Sequence, residues 1–317
     1  DEDIYFISNQ DSLAQNIHLK FSLKDKLPEL WNPMTGEISK TAYFKENELG
    51  TEMDVSLNGQ ESVFVVFKDP SKDKNQVVSV NAPTKTTHMF TFNENEDIEM
   101  LVTQNGNYQV VLKNGIEKQI KVNSIPEPKV LNKNWQLQFD AVYGYKNVMD
   151  TDLLFDWTTS SISNIKHYSG TVSYKTTFDF PEKHIKSNQK ITIDLGKVNI
   201  AAKVILNGQE VTTLWMAPYH VDITNYIKKG KNDLKIEVSN TWTNRLIGDE
   251  HYDRTDGYSI RESKMPDWYM NNEPMPKGKR TTFSAYPFYK KEDALLPSGM
   301  EGPVKIVFSK VIDINKI

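Results

Sequence analysis

The chain has 317 residues, a formal net charge of -4, 25% charged residues and no cysteine. That length admits two or three domains, each able to bury a core, and the near-neutral balance excludes the electrostatic footprint of a nucleic-acid-binding protein. No run of about eighteen apolar residues is present, which excludes a helical membrane span, and disulfides are not used. The sequence opens at Asp1 with neither a starting methionine nor a signal peptide, as expected of a processed protein or an excised piece of a longer one. Strand-like runs recur at short spacing with hardly any helical periodicity. The expected class is therefore all-β, built from antiparallel β-sandwiches.

Residues 1–70 read as a first antiparallel β-domain. Ile4–Ile7 and His18–Phe21 are expected to pair with each other. Leu30–Gly36 follows as a turn, with Pro33 restricting the backbone and Gly36 freeing it. Val55 and Leu57 alternate ahead of Asn58-Gly59, a tight hairpin signal. Val63–Phe67 is apolar throughout, the pattern of a central strand covered on both faces. A lysine-rich stretch, Lys68–Lys74, leads into residues 71–129, read as a β-meander extension. There Asn105-Gly106 and Asn114-Gly115 bracket Tyr108–Leu112, and a last strand ends at Ile120 and Val122. The prolines of Ile125-Pro126-Glu127-Pro128 make a semi-rigid connector.

Residues 130–317 read as a third unit. Trp135, Leu137 and Phe139 alternate as its first strand. The clearest strand in the chain places Val172, Tyr174, Thr176, Phe178 and Phe180 on one buried face and ends at Pro181, which has no amide proton to donate. The same period recurs at Ile191–Leu195, Val204–Leu206 and Leu234–Val238, each followed by a polar or glycine break. Asp222 or Thr224 is placed to cap a single helical turn, and Gly230 to end it. Val304–Phe308 should close the sandwich. Between Thr243 and Gly302 lie about sixty residues without a secure strand, where structureless connections beyond about fifteen are uncommon. Aromatic residues crowd into this 243–302 region, including Tyr258, Trp268, Phe283, Tyr286 and Phe288, so it is expected to fold over one end or face of the sandwich.

Tyr168–Tyr174, Leu195–Val198, Val204–Gly208, Pro218–Thr224 and Gly230–Asn232 resemble the galactose-binding-like jelly roll of family 2 glycoside hydrolases. Val238–Glu250, with its run Asn244-Arg245-Leu246-Ile247-Gly248-Asp249-Glu250, and Leu295–Gly299 are similar to the C-terminal part of glycoside hydrolase family 106, the Bacteroidetes-type α-L-rhamnosidases. Ile4–Phe6, Leu30–Gly36 and Ser62–Phe67 look like that family's post-barrel β-domain. The resemblance implies an accessory, sugar-binding-type region of a periplasmic or secreted bacterial hydrolase. Its implied partners are a rhamnose-containing polysaccharide or oligosaccharide and the N-terminal catalytic barrel of the same parent protein. The family's catalytic carboxylates belong to a (β/α)8 barrel of about 250 residues, and no alternation of strand and helix encodes one here. No residue of this chain is therefore expected to be catalytic. A free-standing carbohydrate-binding protein is the alternative. An independent enzyme of lyase type, using Tyr, His and Arg of the 243–302 region, is a third reading.

Candidate sugar contacts come from two places. Trp157, His167 and Tyr168, with Lys166, precede the long strand, where the resemblance implies a substrate-side loop. Aromatic faces stack on sugar rings while Lys and His donate to hydroxyls; the competing reading makes Trp157 core and His167 an ordinary surface histidine. Asn244, Arg245, Glu250 and His251 form the second set. Arginine binds carboxylates in bidentate fashion, which suits a uronate or an internal pairing with Asp249 or Glu250. Asp249, Glu250, Asp253 and Asp256 have the chemistry of glycoside hydrolysis, and equally that of a solvated loop with ion pairs worth under about 1 kcal/mol each. No cofactor is expected. The 6 histidines show no zinc-type spacing, and calcium held around Asp249–Asp256 has no EF-hand spacing behind it.

Overall fold

The computed structural model describes residues 2–317 except 72–73, 84–87, 141–146, 186, 260 and 262–263. The first strands are β1 (Asp3–Ser8), β2 (Gln15–Phe21), β3 (Lys26–Trp31), β4 (Ile38–Lys40), β5 (Lys45–Asn47), β6 (Gly50–Leu57) and β7 (Ser62–Pro70). They form two antiparallel sheets, β1-β7-β3-β4 and β2-β6-β5. Ile4–Ile7 pairs with β7 and His18–Phe21 with β6, so the expected pairing between them is not formed. Asn58-Gly59 likewise joins strands of different sheets rather than closing a hairpin. In both cases the chain crosses from one layer to the other, which lets Phe21, Met53 and Val55 meet Val63, Val65 and Phe67 in a shared core. β7 is central, as its apolar run predicts, yet Phe64 stays partly exposed on the outer face. The Leu30–Gly36 turn is held by Asn32, whose Oδ1 accepts from Met34 N at 2.8 Å.

Strands β8 (Val77–Asn81), β9 (His88–Phe92), β10 (Ile98–Val102), β11 (Gly106–Leu112) and β12 (Glu117–Val122) follow. β11 lies between β12 and β8, with Tyr108, Val110 and Leu112 on its buried face. β9 and β10 pair with each other and join the C-terminal sandwich instead.

That sandwich comprises β13 (Lys129–Val130), β14 (Trp135–Phe139), β15 (Asn147–Thr151), β16 (Thr171–Phe180), β17 (Gln189–Asp194), β18 (Lys197–Asn199), β19 (Ala201–Leu206), β20 (Gln209–Leu214), β21 (His220–Asp222), β22 (Gly230–Ser239), β23 (Gly299–Gly302) and β24 (Lys305–Asp313). One sheet runs β15-β14-β16-β22-β19-β20, the other β21-β17-β24-β10-β9. Val172, Tyr174, Thr176, Phe178 and Phe180 are all buried, and β16 pairs with β22 along its whole length. Their side chains meet Ile191, Ile193, Ile306 and Met100 of the facing sheet in one core. The expected single turn forms at residues 223–227, with Asp222 Oδ1 accepting from Thr224 N at 2.8 Å. The all-β, antiparallel sandwich class holds.

Because β10 covers one side of β24 through the register Glu99↔Asp313 to Val102↔Lys310, a fragment of residues 130–317 would leave that edge open. Such a fragment should melt at least about 5 °C below one starting at residue 71 and aggregate more readily, as judged by circular dichroism and light scattering. Equal melting would show that β10 contributes little.

Candidate functional site

The register Thr171↔Ser239↔Ala201 places the start of β16, the end of β22 and the start of β19 at one end of the sandwich. Two long connections cross this end. The first carries helix α1 (Ser163–Lys166); the second carries α2 (Thr243–Asp249) and α3 (Asp267–Met270). Helix α2 was invisible to periodicity because it has no single apolar stripe: Asn244, Arg245, Ile247, Gly248 and Asp249 are all buried. The two sequence-predicted sets converge here. The His167 and His251 rings lie 5.4 Å apart, and Arg245 N donates to Ser169 Oγ at 3.0 Å.

Trp157 and Tyr168 are fully buried and offer no face to a sugar, which corrects the stacking role expected of them. Their volume fills the end of the core, with ring centroids 5.6 Å apart and Tyr168 edge-on to Phe139 at 5.0 Å. Trp157 Nε1 donates to the Tyr174 hydroxyl at 2.7 Å, and burial holds that phenol well above its usual pKa. Gly299 permits this packing, since a Cβ there would sit 2.4 Å from Trp157 Nε1. His167 is buried rather than a surface histidine. The Ser163 carbonyl can only accept, so His167 Nδ1 donates to it at 3.0 Å. Burial, reinforced by the charges of Arg245, His251 and Lys166, pulls its pKa below the ordinary value despite that hydrogen bond.

The second set is mostly internal as well. Asn244 Nδ2 donates to the Leu296 carbonyl at 2.7 Å and to Ser298 Oγ at 2.9 Å, while its Oδ1 accepts from Leu296 N at 2.8 Å. Asn240 ties the same serine to the strand end, donating to Ser298 Oγ at 3.0 Å and to the Tyr168 carbonyl at 2.9 Å. Arg245 forms a buried ion pair with Asp249 at 2.9 Å, so its carboxylate partner is internal. Asp249 Oδ2 also accepts from Thr281 N, Thr282 N and Thr282 Oγ1, at 3.0, 2.8 and 2.6 Å. Glu250 pairs with buried Arg280 at 2.5 Å, and Asp256 with Arg254 at 2.8 Å. Arg254 in turn stacks over Tyr258, 4.8 Å from its ring centre.

These pairs therefore do not form a solvated loop. They tie the 243–302 region to itself, and breaking one strands a buried charge. Asp249 has no exposed surface and several donors on its carboxylate, which leaves it no part in proton transfer to a bound glycoside. Among the described residues, no group of three or more His, Cys, Asp or Glu is arranged to hold a metal ion.

Of the predicted contacts, Lys166 and His251 are exposed and Glu250 partly so; the others are buried. Around them the same end presents side chains that sequence reasoning did not single out as surface groups: Trp215, Trp242 and the Tyr286–Phe288 pair, whose rings meet edge-on at 4.9 Å. Sequence reasoning also missed Arg280, Asp156 and Asn240 as anchors. Their only signal was position, Asn240 closing a strand and Asp156 preceding a tryptophan.

Replacing Arg245 with Ala should cost about 3–5 kcal/mol in a denaturant titration, because Asp249 stays buried without its partner. Gly248→Ala should also destabilise, since a Cβ there would lie 2.6 Å from that of His167; unchanged midpoints would show the helix to be loosely seated. The lowered His167 pKa carries a sign. The unfolded chain takes up a proton first, so this site's stability is full above pH 6.5 and falls as pH drops through the folded value. Between about pH 7 and about pH 5, wild type should lose more stability than His167→Gln, and parallel curves would remove His167 from the account.

Residues 145–270 match the glycosyl hydrolase 2 galactose-binding domain-like family. A putative beta-glucuronidase from Formosa agariphila is 44% identical over 189 residues, covering 58% of this chain and 16% of that protein. A rhamnosidase from Novosphingobium sp. PP1Y superposes with a TM-score of 0.69 at 27% identity, over 97% of this chain and 23% of that one. The chain thus contains a galactose-binding-like domain of the glycosyl hydrolase 2 kind. It spans well under a third of the length of these glycoside hydrolase relatives.

Proposed function

We propose that the chain is the non-catalytic, sugar-binding-type C-terminal region of a secreted or periplasmic glycoside hydrolase, of the α-L-rhamnosidase type found in family 106. Its loop end, where Glu250, His251 and the exposed aromatic side chains gather, borders the active site of a (β/α)8 barrel elsewhere in the parent protein. The observation that carries this reading is the likeness of nearly the whole fold to a rhamnosidase of which it makes up 23%. The acidic groups of the 243–302 region support it, since Asp249, Glu250 and Asp256 each face an arginine. A rhamnose-containing saccharide is the substrate proposed for the parent. The uronate reading of Arg245 loses its basis, because that guanidinium faces Asp249 inside the fold.

The isolated chain should show no turnover of aryl rhamnosides or aryl glucuronides, while the full-length parent cleaves the rhamnoside. Turnover by the chain alone would overturn the accessory role, and cleavage of the glucuronide alone by the parent would overturn the sugar assignment.

A further inference from the structure

A sheet with one solvated face normally alternates apolar-in and polar-out. The outer face of β1-β7-β3-β4 breaks that rule. Phe6, Phe64, Trp31 and Ile38 stand opposite one another across all four strands, a row about 14 Å wide at the usual strand spacing. In the next row Ile4 is exposed, while Val66 is fully buried beneath its neighbours. Phe6 is 58% exposed, Ile4 56% and Ile38 55%. The row is rigid: the Phe6 and Phe64 rings lie 5.0 Å apart, and Trp31 Nε1 donates to Glu29 Oε2 at 2.8 Å. Glu29 is itself 2% exposed, and faces Lys68 at 3.6 Å and Lys40 at 4.0 Å.

Two occupants suit an aromatic platform, a sugar or a protein, and the polar groups decide between them. A sugar stacked on a ring needs free donors and acceptors beside it. Here the carboxylate of Glu29 is committed to Trp31 and the two lysines, and the row ends in aliphatic Ile38. Lys68 Nζ already stands over the Trp31 ring, 5.7 Å from its centre, so that ring is not open to a stacking sugar. With only Ser8 and Ser62 at its margin, the rest of the row is apolar, the composition of a permanent protein interface. The row also reaches β1, an edge strand whose outward Ile4, Phe6 and Ser8 carry no charge, which invites pairing unless something covers it.

We infer that this face docks an apolar surface of the catalytic part of the same parent chain. The inference rests on the function proposed above. It draws on the rhamnosidase likeness, in which this fold accompanies a chain of which it is 23%. A neighbour tethered in the same chain covers the face permanently, as its composition requires, whereas a diffusing partner would leave it exposed between encounters.

The test is a Phe6→Ser, Ile38→Ser double variant, both sites being more than half exposed. In the isolated chain its melting temperature should fall only by what the lost Phe6–Phe64 ring contact accounts for, a few degrees at most. In the full-length parent it should lower the first melting transition by about 5 °C or more beyond the shift in the isolated chain and speed tryptic cleavage between this region and the rest. A parent shift no larger than that of the isolated chain would overturn the docking face. So would a dimer of the isolated chain that the variant converts to monomer in light scattering, or retardation of the chain in rhamnogalacturonan gels that the variant abolishes. Rhamnosidase activity of the wild-type parent is scored separately: an inactive parent overturns the functional reading, while the melting shift still decides the docking face.

Discussion

Every buried backbone amide and carbonyl needs a partner, and the segment between β22 and β23 has almost no strand or long helix to provide one. The sandwich end meets that constraint with a few short polar side chains. Asn244 takes the place of a ladder residue by bonding both the amide and the carbonyl of Leu296. Asp249 receives two consecutive amides at Thr281 and Thr282, and Asp156 receives that of Ser298. Remove this set and the long connection has no way to lie on the core. The run that looked most like a binding motif is the attachment of a covering layer.

What could be read from the chain follows from how local each signal is. The alternation of β16 and β22 needs only neighbours in sequence, and both strands fall where it places them. Pairing partners are non-local, which is why His18–Phe21 and Ile4–Ile7 were assigned to each other although each lies in a different sheet. Helix α2 has polar residues facing inward because their partners come from residues 281–298, and no hydrophobic period can announce that. At the candidate site, residues 157–168 and 244–251 each stood out through the family resemblance and residue type, but their gathering at one end depends on strand pairing and was not read from the chain. Nor was their burial, since Trp157 packs alike in a sequence whether its ring faces a sugar or Gly299.

Near the sandwich end, each arginine of Arg245, Arg254 and Arg280 is neutralised by an acidic side chain within the same region. Their work is mechanical, holding a loop in one conformation, and the geometry of that loop is what fixes where Trp242, Tyr286 and Phe288 stand. A surface made in this way is stiff. A ligand or neighbouring domain meeting it would spend little on ordering side chains.

Strand β24 has a consequence for how the protein is made. It lies between β17 and β10, so one sheet of the C-terminal sandwich is completed by residues 305–313, and its partner strand β10 was synthesised roughly two hundred residues earlier. During vectorial synthesis β9 and β10 therefore emerge long before the strand that joins them to the rest of that sheet. Until then they must wait with an open edge, sheltered by a chaperone or by the neighbouring strands β8, β11 and β12. Strand β24 is the joint between β17 and β10, and a chain that ends before residue 305 has two half-sheets and nothing to connect them.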